Sequence, residues 1–255
     1  MLTAANLDAI GCLRHGFFTR EGGASTGIYA SLNCGFSNDD DDRRIIANRS
    51  IAMDRLGLPA NALTTVKQVH GTAVHRARVA VPGKPVIEAD ALVTDRPGIA
   101  LGVLSADCAP VLLADTAAGV IGAAHAGWRG ALAGVVDRLI EEMMALGAEP
   151  VRMAGAVGPC IARESYEVGE DMREAFQNAD PDGLGLFTHD AAGLRFDLKA
   201  YVLSRLDRLG LENRLALPED THADEARFFS ARRSRNRRES GFGLLLSAIA
   251  LDDKR

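Results

Sequence analysis

With 255 residues, 47% of them hydrophobic and 25% charged, the chain has the make-up of a folded globular protein and is too apolar for a disordered one. Its 34 acidic residues outnumber the 29 basic ones, and the net charge of −5 argues against a protein that coats nucleic acid. Nowhere do about 18 apolar residues run together, so no membrane span is expected.

Residues 1–20 hold no basic cluster followed by an apolar run, and so do not read as a signal peptide. Cys12, Cys34, Cys108 and Cys160 lie far apart with no CxxC pair, which points to reduced thiols in a cytoplasmic protein. Residues 19–33, rich in Gly and Ser, form a loop. The acids Asp39 to Asp42 suit the first turn of a helix whose apolar face is Ile45, Ala52, Met53 and Leu56 and which Gly57 and Pro59 end. A solvated helix start explains that acidic run better than a metal site does. Residues 99–106, 111–115 and 120–126 are short, apolar and β-branched, and predict three buried strands. One amphipathic helix follows, with Leu132, Val135, Val136, Leu139, Ile140 and Met143 at helical spacing and Gly147 as its cap. Residues 151–157 predict another strand. Residues 166–179 and 198–209 predict helices, the second capped by Asp197 and ended by Gly210, and 242–251 predict a closing buried strand. With no repeat and no linker, the pattern predicts a single domain over residues 1–255, of α+β (mixed α/β) class.

Cys108 follows one predicted strand and His125 closes another, while His70 sits in Gln68-Val-His-Gly71. Two imidazoles and a thiolate suit Zn²⁺ and leave a fourth position for water or substrate. The gaps of 38 and 17 residues match no short zinc motif. Satisfied core residues, or a Cys108 nucleophile with His125 or His70 as base, therefore remain open. His15, His75, His189 and His222 lie in polar settings and read as surface residues. The strand-to-helix turn in His125-Ala-Gly-Trp-Arg-Gly130 favours an anion, and Arg129 adds a forked donor. Residues 227–238 hold six Arg and two adjacent Phe. In an acidic chain that run reads as a solvated loop with one or two phosphate-binding arginines, not as a nucleic-acid site.

Six segments, in order, resemble the YfiH-like family, also called multicopper polyphenol oxidase or laccase-domain proteins and peptidoglycan-editing factor. They are the loop from Thr19-Arg20 to Ser31-Leu32-Asn33, Gln68-Val-His-Gly71, Ala89-Asp-Ala-Leu-Val-Thr94, Ala106-Asp-Cys108 with His125-Ala-Gly-Trp-Arg-Gly130, Gly158-Pro-Cys160 and Phe228-Phe-Ser-Ala-Arg-Arg233. The resemblance implies one domain of layered helices and mixed β-sheets, with His70, Cys108 and His125 as metal ligands. It implies a zinc-dependent purine nucleoside phosphorylase that acts on adenosine, inosine, guanosine and methylthioadenosine, with adenosine deaminase activity besides. The partners are then small molecules, a nucleoside and phosphate. Arg20, Arg129 or Arg232 are positioned to hold phosphate, and Asn33 and Gln68 to bind base or sugar. Copper-dependent phenol oxidation fits less well, because six His with no HxH pair are few for coupled copper sites. A peptidoglycan-precursor editing role stays open, as does the oligomeric state. Two departures from the family pattern stand out. Asp220-Thr221 replaces a frequent Cys-Thr, and Ser240-Gly241-Phe242 replaces a frequent Thr-Gly-Arg.

Overall fold

The structure is a computed structural model that describes residues 1–36, 39–191 and 193–252. The expectation of one domain over 1–255 therefore also takes in residues that lie outside the described ones. In chain order the strands are β1 (Leu13–Phe17), β2 (Leu63–Thr64), β3 (Val74–Arg76), β4 (Ala91–Thr94), β5 (Ala100–Ser105), β6 (Ala109–Asp115), β7 (Val120–Ala126), β8 (Ala154–Val157), β9 (Phe187–Asp190), β10 (Gly193–Phe196), β11 (Asn213–Ala216) and β12 (Leu245–Leu251). The α-helices are α1 (Ala5–Asp8), α2 (Asp42–Arg55), α3 (Trp128–Ala133), α4 (Val135–Met144), α5 (Glu170–Ala179), α6 (Leu198–Arg208) and α7 (Ala231–Arg237).

Two mixed sheets pack face to face. One has the order β1-β12-β5-β2 and the other β11-β8-β6-β7-β4-β3. Between them lies a core of Phe17, Leu101, Val103 and Ile249 from the first sheet and Leu92, Leu112, Ile121 and Ala156 from the second. The far face of the larger sheet, with Val111, Leu113 and Ala124, packs on α4, α5 and α6. The far face of the smaller sheet, with Ala248 and Ala250, packs on Ala52 and Met53 of α2. The α+β expectation holds, in four layers. Strands covered on both faces need no polar side, which is why every residue of β5, β6, β7 and β12 is buried and these strands read as mainly apolar runs rather than alternating ones.

Several expectations need correction. The long helix after His125 is two helices, because Gly134 takes a left-handed φ of 93° between α3 and α4. The strand expected at 151–157 starts at Ala154, after a 3₁₀ turn at Pro150–Arg152. The helix expected from Tyr166 starts at Glu170, since the preceding residues bond to β10 through Val168 N–H to Leu194 O (2.9 Å). The closing strand begins at Leu245 and not at Phe242. The arginine-rich run is not a loop but helix α7, capped by Ser230, with Arg233 and Ser234 buried. His15 is buried instead of exposed, and its Nε2 accepts the Ala4 N–H at 2.9 Å. Among the described residues no helix is long and apolar enough to cross a membrane.

Away from the loops that join the sheets, Asp180 is a buried carboxylate that clamps α6. Arg208 binds both of its oxygens at 2.9 and 2.8 Å, and Tyr201 OH and Arg205 add bonds of 2.8 and 3.3 Å. The Arg208 bonds outweigh burial and hold Asp180 down at about 2. A depressed folded pKa means that this stabilisation is complete above the unfolded carboxylate range and is lost as pH falls from about 4 to about 2. Asp180→Asn is expected to cost about 2 kcal/mol at pH 7 and to flatten the acid limb over that window. Urea unfolding as a function of pH checks both, and an acid limb unchanged from the wild type contradicts them.

Candidate metal and substrate site

Two crossings of the chain between the sheets build the site. β5 belongs to the smaller sheet and β6 to the larger, and Cys108 lies in the turn that joins them. His70 lies in the loop from β2 to β3, which makes the same crossing. His125 stands on β7 opposite Pro110 of β6. One donor atom from each of His70, Cys108 and His125 falls within 4.8 Å of the others. His70 Nε2 is 3.8 Å from Cys108 Sγ, and the two imidazoles meet edge to face at 4.9 Å.

Two carboxylates hold these three in place. Asp90, fully buried, takes His125 Nδ1–H and His70 N–H on Oδ1, at 2.9 and 3.0 Å. Its Oδ2 takes the N–H groups of Val69 and Gly71 at 3.1 and 2.7 Å. These bonds fix His70 at a φ of 60°, unusual for a residue with a side chain, and leave His125 Nε2 for Cys108. Asp107, at a φ of 88°, accepts from Thr221 Oγ1 (2.7 Å), Ser230 Oγ (2.9 Å) and Arg232 N–H (2.7 Å). It thereby ties the Cys108 turn to the C-terminal segment. Backbone strain of this kind persists where the surroundings over-determine it. Sequence reasoning gave neither carboxylate a role, although both lie inside quoted motifs.

Burial pushes the Cys108 thiol up, but His125 and His70 outweigh it and bring it down to about 6. Burial would lower His125, and the Cys108 thiolate and Asp90 instead raise it to about 9. Without a metal both shifts run toward a thiolate beside an imidazolium. The donor set also fits a tetrahedral metal. Bonds of about 2.0 Å to nitrogen and 2.3 Å to sulfur place a nitrogen and a sulfur ligand about 3.5 Å apart, so the His70–Cys108 separation of 3.8 Å needs only a small contraction, and all three donor atoms lie within 4.8 Å of one another. Gly127 leaves the room: a Cβ there would stand 2.8 Å from His70 Cδ2 and 3.0 Å from Cys108 Sγ. Gly127→Ala is therefore expected to displace both ligands and weaken metal binding at least about tenfold, comparable to losing a supporting contact. Competition with a chromophoric chelator reads it, and unchanged affinity contradicts the fit. Cys160 is fully buried, where burial pushes its thiol up to about 12, and it is not among the residues whose donor atoms converge.

The trio opens into a cavity of about 790 Å³, within the range that encloses small ligands. Arg129, Arg232 and Gln68 line it. The Arg129 guanidinium stacks on Trp128 at 4.3 Å, and Arg232 lies 5.4 Å from the Tyr166 ring while bonding Glu167 O at 2.8 Å. Gln68 exchanges two hydrogen bonds with the Leu104 backbone, at 2.7 and 2.8 Å, so it ties the wall together. The structure does not bring Arg20 and Asn33 to this cavity. Asn33 is fully buried, with its amide bound to Asp40, Gly35 N–H and Leu244 N–H. Arg20 binds Ala30 O at 2.6 Å and stacks on Phe229 at 4.4 Å. Both serve to fold the Gly-rich loop, from which Tyr29 reaches the cavity. Arg233 is equally committed, donating to the carbonyls of Thr221, His222 and Phe228. Of the two departures, Ser240, Gly241 and Phe242 line the cavity, whereas Asp220 binds Ser165 and two backbone N–H groups.

Residues 14–252 match the family described as multi-copper polyphenol oxidoreductase laccase. A purine nucleoside phosphorylase of Deinococcus radiodurans is 45% identical over 193 residues, covering 76% of this chain and 72% of the relative. A purine nucleoside phosphorylase of Streptomyces coelicolor is 39% identical over 228 residues, covering 89% and 93%. Among solved structures, a Neisseria meningitidis protein superposes with a TM-score of 0.84 at 35% identity, over 95% of both chains. YlmD of Geobacillus stearothermophilus superposes at 0.86 with 28% identity, over 98% of this chain and 94% of its own.

Proposed function

The chain belongs to the multi-copper polyphenol oxidoreductase laccase family, and from that premise we propose that it is a cytoplasmic, zinc-dependent purine nucleoside phosphorylase. It cleaves the N-glycosidic bond of adenosine, inosine, guanosine and methylthioadenosine with phosphate and deaminates adenosine as a second activity. The observation that carries this reading is the Cys-His-His trio, open on one side to a cavity with arginines on its wall. Relatives named purine nucleoside phosphorylase support it.

In this reading His70, Cys108 and His125 hold Zn²⁺. A thiolate with two imidazoles is a donor set that zinc accepts in tetrahedral geometry, and three protein ligands keep one position open. Bound there, the ion supplies Lewis acidity to a substrate oxygen or nitrogen. Asp90 keeps the His125 Nδ1 proton in place so that Nε2 faces inward. Arg129 and Arg232 attract the anionic co-substrate to the cavity, and their seats on Trp128 and Tyr166 orient them. Gln68 and the Leu104 backbone form the wall against which base or sugar rests.

The test is inosine turnover by purified protein. Hypoxanthine release should depend on phosphate, and release at the same rate without it overturns the reading. One observation favours a second reading. A Cys108 thiol at about 6 beside two imidazoles is also a nucleophile with its base, as in a metal-free cysteine hydrolase. A chelator separates the two. Turnover should fall when zinc is stripped and return when it is restored, whereas a thiol hydrolase keeps its activity throughout. Metal analysis of the purified protein judges copper against zinc in the same experiment.

A further inference from the structure

α2 contributes an unusual residue to the same cavity. Arg49 is 5% exposed and lines the cavity wall. Three hydrogen bonds lock its guanidinium: Nε to Cys34 O (2.8 Å), and Nη1 to Thr65 Oγ1 and Gly83 O (both 3.1 Å). The Phe36 ring covers one face at 4.5 Å. Its Nη2 is buried and has no hydrogen-bond partner. The three partners of the other nitrogens are neutral, and among the described residues no carboxylate forms an ion pair with Arg49. Burial lowers its pKa to about 10, as expected for a cation with no counter-charge.

A buried charge ordinarily has a partner, and an orphaned N–H on a charged group costs more than the bond it forgoes. Buried Arg233 also forms no ion pair among the described residues, but its Nη1 and Nη2 are both bonded, to the carbonyls of Thr221, His222 and Phe228. Arg49 differs in keeping a buried Nη2 with no partner beside a cavity, which Lys84 and Lys67, the latter paired with Glu88, also line. The acids on that wall, Asp39 and Asp107, do not supply the missing charge, since neither forms an ion pair with Arg49 and Asp107 is bound to Thr221, Ser230 and Arg232. A neutral base or sugar would satisfy the N–H but not the charge. An oxyanion satisfies both, and a guanidinium fork matches phosphate geometry.

We propose that Arg49 is the seat of the phosphate co-substrate, its Nη2–H donating to a phosphate oxygen inside the cavity, while Arg129 and Arg232 serve as the way in. This rests on the phosphorylase reading and says where in the site the anion comes to rest. It also accounts for the neutral bonding of the other guanidinium nitrogens, which leaves Nη2 alone without a partner.

Two measurements on the zinc-loaded protein test it. The first is inosine turnover against inorganic phosphate concentration for the wild type and Arg49→Lys, which keeps the charge and loses the fork. The phosphate KM should rise roughly 10- to 100-fold, the ratio a lost charged hydrogen bond gives, with the inosine KM changed by no more than about twofold. An unchanged phosphate KM, or an equal rise in both constants, overturns the proposal. The second measurement needs no variant and so stands even where Arg49→Lys fails to fold. Wild-type crystals grown with arsenate should show its anomalous signal within hydrogen-bond reach of Arg49 Nη2. Arsenate found only beside Arg129 and Arg232, or absent from the cavity, overturns the assignment. If the wild type cleaves inosine equally well without phosphate, the phosphorylase reading falls, and the arsenate position still judges Arg49 as an oxyanion seat.

Discussion

Cys108→Ala is expected to empty the metal site and to stop inosine turnover in the same step. Cys108 is the one anionic donor of the trio, and it alone neutralises part of a divalent charge. The two imidazoles that remain are neutral ligands 55 positions apart in sequence, His70 and His125, with no third side chain among the described residues that reaches the same point. Metal content should fall from about one ion per chain to nearly none. Turnover should fall at least about a thousandfold, which corresponds to about 4 kcal/mol of lost transition-state stabilisation. The fold should survive, because the turn is held by the Asp107 side chain and not by the thiol. Asp107 keeps its bonds to Thr221, Ser230 and Arg232 whatever occupies position 108. Metal analysis, circular dichroism and turnover on one preparation decide the matter. A folded variant that keeps both its metal and its activity removes Cys108 from the ligand set.

The legibility of this site follows the range of the interactions that make it. His70, Cys108 and His125 stand out in the sequence because few side chains bind soft or borderline metals, and the strands that carry Cys108 and His125 are marked by apolar runs. Asp90 and Asp107 do not stand out. A carboxylate is common, and what distinguishes these two is a set of partners brought from 35 and from more than 100 residues away. Arginines pose the same difficulty in reverse. Arg232 and Arg233 are neighbours in one motif, yet the turn of α7 gives the first a place on the cavity and buries the second among three carbonyls. Arg49 offers no signal at all in the sequence, where it is one basic residue on an amphipathic helix. Its interest lies in a missing partner, and a missing partner is visible only once every neighbour has been placed. The helix break at Gly134 was hidden for a related reason. A glycine inside a helical pattern is compatible with a continuous helix, and only its φ of 93° tells the two cases apart.

Asp90→Asn is expected to be nearly as damaging as loss of a ligand, although Asp90 touches no metal and the change swaps one oxygen for an amide nitrogen. Each carboxylate oxygen accepts two hydrogen bonds, and all four donors are fixed: three backbone N–H groups of the His70 loop and the ring N–H of His125. An asparagine has one accepting oxygen, so its NH₂ group must face one of the two pairs. Facing Val69 and Gly71, it opposes two N–H donors and pushes the His70 loop away from the trio. Facing His70 N–H and His125, it forces His125 Nδ1 to accept, which moves the ring proton to Nε2 and removes the lone pair that a metal would take. Neither orientation preserves both imidazoles as inward-facing ligands. Metal affinity should drop roughly 10- to 100-fold, as for other supporting groups of metal-bound histidines. The buried, poorly paired donors should cost about 1–3 kcal/mol of stability besides. The two effects are separable, because stability is read by urea unfolding of the metal-free protein and affinity by chelator competition. Wild-type affinity in a destabilised variant would mean that Asp90 only folds the loop, whereas loss of affinity at near-normal stability would show that it sets the tautomer of His125.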